Sequence, residues 1–206
     1  MRKQKLVYGF GINDADYQVQ EFIYKIDEYG KRKQKRLWIC PLYRKWVSML
    51  ERCYSEKFQE RKPTYIGCSV CQEWLTFSNF KRWMEKQDWE GKQLDKDILY
   101  LNNKVYGPDT CVFVDQNVNS FLIECSAMRG DYMIGVCWRK DCSKFRAKCQ
   151  DGSGKQKHLG YFDTELEAHK AWLDYKLKLA YQLASEQTDP RVAKALIERY
   201  ENYKIG

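Results

Sequence analysis

Two acids and an amide in "QLDKDILYLNNKVYGPDTCVFVDQNVN", Gln93 to Asn119, carry the first chemistry that the sequence offers. Asp95 and Asp97 are two residues apart, which puts both carboxylates on one face if the segment is a strand. Asn119 follows Asp115, a good helix cap, and so falls on a helix behind that strand. Oxygen donors that converge this way suit Mg²⁺ or another divalent cation, which offsets charge growing on a phosphoryl group. The candidate metal ligands are therefore Asp95, Asp97 and Asn119. The candidate catalytic set adds Lys96 between the acids. A lysine at its reference pKa of about 10.4 is a poor base at neutral pH. Lys96 could stabilise charge, and metal-bound hydroxide could replace a base. The only two histidines, His158 and His169, lie far along the chain. A plain alternative stays open, in which "LDKDIL" is a turn-bounded strand with two solvated acids.

The second chemistry is cationic. "GVCWRKDCSKFRAKCQDGSGKQKHLGYFD" alternates Lys144, Arg146 and Lys148 with Phe145, Ala147 and Cys149. Period-two alternation places the cations on one face of a strand and the small or apolar residues on the other. Trp138 and Lys140 on the preceding strand are assigned the exposed parity, with Arg139 beside them. Trp138, Arg139, Lys140, Lys144, Arg146, Lys148 and Lys157 form a candidate nucleic-acid surface, where Arg reads guanine and Lys holds phosphates. His158 could reach a phosphate, and His169 is assigned to a helix surface. The net charge of +8 includes a dense run, "GKRKQKR", Gly30 to Arg36. Such surplus suits a phosphate backbone. A solvated face that aids solubility is the bland alternative.

Elements must hold these groups. Leu42, Trp46, Met49, Leu50 and Cys53 recur at helical spacing after Pro41, which suits a first helical turn. Ser78 is a candidate cap for a short helix carrying Phe80, Trp83 and Met84. Short strands are expected near Leu6–Phe10 and Tyr17–Ile26, with Gly30 to Arg36 as an exposed loop. "MIGVCWRK", "SKFRAKCQ" and "KHLGYFD" read as three strands separated by turns. A long helix follows with the stripe Ala168, Trp172, Tyr175 and Leu179, capped by Asp163 or Thr164. A further helix follows Pro190. The expected division is a first domain over 1–123, a linker over 124–132 and a second domain over 133–206. The fold class is α+β: a ββα-containing N-terminal domain, then a three-stranded antiparallel sheet packed on a long helix.

Gly135-Val136, Lys144 to Ala147, Leu159 to Phe162, Thr164, Glu167-Ala168 and Trp172 together resemble the Apetala-two/ethylene-response-factor DNA-binding domain. The resemblance implies a sheet that enters the major groove with the helix behind it. The blocks "WLTFSNF" (Trp74 to Phe80), Leu94 to Asp97 and "YGPDTC" (Tyr106 to Cys111) resemble phage-type HNH homing endonucleases, whose C-terminus often carries such a sheet. That resemblance implies one divalent cation held by strand and helix, with a strand histidine activating water. Here Lys96 stands where that histidine is usual, and Asp109 and Thr110 stand where the family has its middle asparagine.

The implied protein binds double-stranded DNA in a bacterial host's cytoplasm and is encoded by a phage or mobile element. If active, it is a metal-dependent hydrolase that nicks DNA. The second outcome is an inactive derivative, acting as a regulator or by blocking a host defence protein. RNA stays open as a partner, since a basic and aromatic mixture does not choose between nucleic acids. No stretch approaches the roughly 20 apolar residues of a membrane helix, and the N-terminus has no apolar core of a signal peptide. Nine cysteines read as reduced thiols. Cys68 and Cys71 form a single C-x2-C pair, too few for a structural zinc, which takes four ligands.

Overall fold

The helical spacing after Pro41 becomes α1 (Pro41–Tyr54) in the computed structural model, with the proline in its first turn. The structure describes residues 5–122, 131–152 and 154–203. The chain is mixed α+β and divides into two compact units, Met1–Val114 and Asp115–Gly206. Most of the expected linker lies outside the described residues.

In the first unit α1 buries Trp46, Met49, Leu50 and Cys53. They pack with Trp74, Phe77, Phe80 and Met84 from the segment leading into α3 (Phe77–Met84). Each large apolar side chain removed from water contributes about 1.5–3 kcal/mol, so this cluster holds the unit together. The indole N–H of Trp46 donates to the Trp74 carbonyl at 2.7 Å, which ties α1 to that segment. The Tyr43–Phe77 and Trp74–Phe80 rings meet edge to face at 5.1 Å. A short helix α2 (Glu56–Arg61) follows α1.

Two expectations change in the N-terminal stretch. The region around Leu6–Phe10 forms only a tight turn closed by a Val7–Gly11 bridge. Gly11 is buried, and a Cβ there would stand 2.4 Å from Leu50 and 2.9 Å from Trp46. The helix cap also differs, since Thr76 holds the N-cap position of α3 without a side-chain bond. The Asp14 carboxylate instead accepts from the Ser78 amide at 2.9 Å. Ile12 pairs with Thr76 beside it. The segment "GFGINDADY" is thus a structural clasp on α3, and Asp14 is its cap.

The basic run is not a loop. β1 (Gln20–Ile26) and β2 (Arg32–Ile39) form an antiparallel hairpin that contains most of it. Further on, β3 (Ser69–Val70) pairs in parallel with β5 (Val105–Tyr106). β4 (Gln93–Asp95) pairs antiparallel with β6 (Val112–Val114). The predicted strand pair therefore exists, but β5 interrupts its connection and joins another sheet.

The second unit opens with α4 (Gln116–Leu122). β7 (Val136–Arg139), β8 (Lys144–Gln150) and β9 (Gln156–Phe162) then form one antiparallel sheet in that order. α5 (Glu165–Ser185) packs on all three strands and on α6 (Pro190–Glu201). Thr164 and Glu167 form a reciprocal capping box at the start of α5, worth about 1 kcal/mol. Trp172 is buried beneath the sheet. A Cβ on Gly135, whose φ is +81°, would meet the Trp172 ring at 2.2 Å. Only glycine fits there. His169 is buried rather than on the helix surface, with its ring 5.4 Å from Trp172 and Nδ1 2.9 Å from the Ile134 carbonyl.

Candidate nucleic-acid interface

The Asp95 segment is built differently from the expected strand face. β4 stops at Asp95 because its own side chain competes for the backbone. Asp95 Oδ1 accepts from the amides of Asp97 at 2.7 Å and Ile98 at 2.8 Å. This Asx turn bends the chain out of the ladder. Asp97 consequently lies past the strand end, and the two carboxylates do not share a strand face. Burial pushes the Asp95 carboxyl above its ordinary pKa, against the two backbone bonds that favour its charged form.

Lys96 points inward and is 4 % exposed. Its Nζ donates to Asp97 Oδ1 and Oδ2 at 2.8 and 2.7 Å and to the Asn103 carbonyl at 2.6 Å. The Asn103 side-chain amide returns a bond to the Lys96 carbonyl at 2.9 Å and a second to the Val105 carbonyl at 2.7 Å. The loop from Lys96 to Asn103 is thus closed by reciprocal bonds around one ammonium.

These residues do not fit the divalent cation that the resemblance implies. The ammonium already holds both oxygens of Asp97, and a metal on that carboxylate would face a buried positive charge. Asp95 spends one oxygen on the turn. Among the described residues no group of three or more His, Cys, Asp or Glu side chains is placed to hold a metal. Cys68 is buried near Cys53, and burial raises the pKa values of the core thiols Cys53 and Cys111 to about 12.

The sheet of the second unit gathers the cations. The register pairs Arg139 with Lys144, and Arg146 with Cys137 and Tyr161. Lys148 pairs with His158 across a bulge in the β8–β9 ladder. Arg139, Lys144, Arg146 and Lys148 therefore share the face opposite Ala147 and Cys149, which are buried. A cavity of about 290 Å³ opens on this sheet, lined by Arg146, Lys148, Gln156, Lys157 and His158.

Of the remaining candidates, Lys157 lines that cavity and the other two fall elsewhere. Trp138 pairs with Phe145, the rings 4.7 Å apart at 64°, and so carries the helix-side parity rather than the exposed one. The turn over 140–143, with Ser143 at a φ of +52°, sets this register by closing β7 and β8 with Arg139 opposite Lys144. Lys140 stands in the turn after β7 and is exposed. Lys157 pairs with Cys149, and its ammonium lies 4.7 Å from the Tyr175 ring centre. Tyr161, half exposed beside Arg146 and 4.7 Å from the His158 ring, joins the outer face without having been singled out in sequence. Its parity is set by the bulge, which sequence alternation does not reveal.

The outer cations are not equivalent. Arg139 makes a two-pronged pair with Asp141 at 3.0 and 2.9 Å, which holds the Asp141 carboxyl below its usual range. Lys144 pairs with Asp163. Among the described residues no carboxylate pairs with Arg146 or Lys148. Arg146 Nε is buried without a hydrogen-bond partner. No protein-family model, curated protein or solved structure matches the chain.

Proposed function

We propose that the protein binds double-stranded DNA by docking the outer face of β7–β9 on the duplex, and that it acts by occupying DNA rather than cleaving it. The observation that carries this reading is the pair Arg146 and Lys148, two cations on the open sheet face without a carboxylate partner among the described residues. The Arg146 guanidinium on that face is the kind of group that pairs with a base edge or a phosphate oxygen. Lys148 and His158 flank it, as phosphate contacts would. The resemblance to the Apetala-two type of sheet supports the same docking. A B-form major groove, about 12 Å wide, admits such an element, whereas the A-form groove of RNA is too narrow to read.

The use made of the acids supports a role without cleavage. Asp97 serves Lys96, and Asp95 serves the turn. The resemblance to HNH endonucleases then describes a scaffold whose site has turned to internal bonding. Occupancy of DNA suits a phage regulator, or a factor that keeps a host defence complex off its target. The test pairs two assays on the full chain. Anisotropy competition should rank duplex DNA above single strands and RNA. Supercoiled plasmid should stay intact with Mg²⁺ or Mn²⁺ while it is bound. Metal-dependent nicking that disappears in Asp95→Ala would overturn the non-cleaving half of the proposal. Preference for RNA would overturn the other half.

A further inference from the structure

We infer that the β1–β2 hairpin is a second DNA-binding arm, a cationic two-stranded ribbon that takes duplex DNA. The inference rests on the reading of the protein as a DNA binder, but on residues of the other unit. β2 is exposed along all of its length except Ile39. The register divides the hairpin into two faces. Arg32 and Arg36 share one with Phe22 and Tyr24, and Lys25, Lys33 and Lys35 share the other with Ile23. Both faces are therefore cationic.

The arginines are held in place. The Arg32 guanidinium lies 3.9 Å over the Tyr24 ring centre, and Arg36 lies 5.7 Å from that of Phe22. Stacking of this kind fixes long side chains before any partner arrives, so less rotamer freedom is lost on binding. Among the described residues the only carboxylate paired with these five cations is Asp27, at 3.2 Å from Lys33.

A self-contained domain gains little from this arrangement. Two-stranded hairpins are marginal on their own, and this one leaves Tyr24, Ile26 and Trp38 exposed. Five cations within Lys31 to Arg36 repel one another unless anions lie nearby. Duplex DNA supplies regularly spaced phosphates, and its major groove admits a two-stranded ribbon. Cations on both faces match a groove with phosphate walls on two sides better than a flat anionic surface, which would meet only one face.

The test measures duplex affinity against salt for the full chain, the hairpin variant R32Q/K33Q/K35Q/R36Q and the sheet variant R146Q/K148Q. All four hairpin side chains are exposed, and circular dichroism and thermal unfolding verify that the variant keeps the fold. Each lost phosphate contact lowers the slope of log K against log salt by about 0.9, so the hairpin variant should lose about 2 or more from the slope. The second-face variant K25Q/K35Q should lose about 1–2 on the same scale. If the wild type binds duplex DNA, the sheet variant weakens it and the hairpin variants keep the wild-type slope, the arm is overturned and the sheet reading stands. If the wild type does not bind duplex DNA, both fall together. If the hairpin variants lose slope only with RNA, the arm binds a different partner and the inference is overturned.

Discussion

The Lys96 ammonium, 4 % exposed, lies 2.7 Å from the Asp97 carboxylate, whose side chain is nearly half exposed. This lopsided burial makes the two partners unequal. Loss of Asp97 strands a charge inside the protein, while loss of Lys96 leaves a carboxylate that water can reach. Asp97→Ala should therefore cost about 3 kcal/mol, the scale for an uncompensated buried charge. Lys96→Met should cost about 1 kcal/mol, mainly through the bond to the Asn103 carbonyl. Urea unfolding of both variants checks the order, and a larger loss for Lys96→Met would contradict it.

Asp95 gives a pH dependence of defined sign. Burial raises its folded pKa above the ordinary value of 3.8. The folded state then binds more protons than the unfolded state between those two values, so stability falls as pH rises through that window. Asp95→Asn keeps an oxygen for the Asp97 and Ile98 amides and removes the titration. The melting temperature of the variant should gain on the wild type as pH is raised from 3.5 to about 7. A gain that shrinks over the same range would mean that the backbone bonds outweigh burial.

Gly135 and Trp172 set a steric limit. Alanine at 135 meets the indole at 2.2 Å and must also adopt a φ of +81°. Gly135→Ala should destabilise the second unit by about 3 kcal/mol or more, combining overpacking with backbone strain. Differential unfolding monitored at the β7–β9 amides by hydrogen exchange tests this. Wild-type protection in the variant would show that the close approach is readily relieved.

Trp138 should separate packing from binding. Its ring packs on Phe145, which in turn contacts Tyr132 at 5.7 Å. Trp138→Ala should lower stability by about 1–3 kcal/mol and leave the salt dependence of duplex binding unchanged. A normal melting temperature with a changed salt slope would place the indole on DNA instead.

Much of the second unit was legible because its signals are local. Alternation in "KFRAKCQ" shows which residues of β8 face outward, and Thr164 with Glu167 marks the helix start. Trp138 was misassigned because cross-strand register depends on the length of the turn over 140–143, one residue of which reverses the parity. The Asp95 site was legible in composition but not in use. Alternate acids fit a metal-binding strand and an Asx turn equally, and the choice depends on where Lys96 points. The basic run was read as a loop because five cations mask β-propensity, while its pairing with Gln20–Ile26 supplies the strand. His169 was misplaced because its partner, the Ile134 carbonyl, is distant in sequence.

The most direct measurement compares two charge-matched variants for duplex DNA affinity across salt concentrations, R146Q/K148Q and R139Q/K144Q. Arg139 and Lys144 already hold Asp141 and Asp163, whereas no carboxylate among the described residues holds Arg146 or Lys148. The slope should be about 1–2 shallower for R146Q/K148Q, with a smaller change for R139Q/K144Q. Equal slopes for R146Q/K148Q and the wild type would contradict it, since the open sheet face would then not be where DNA is held.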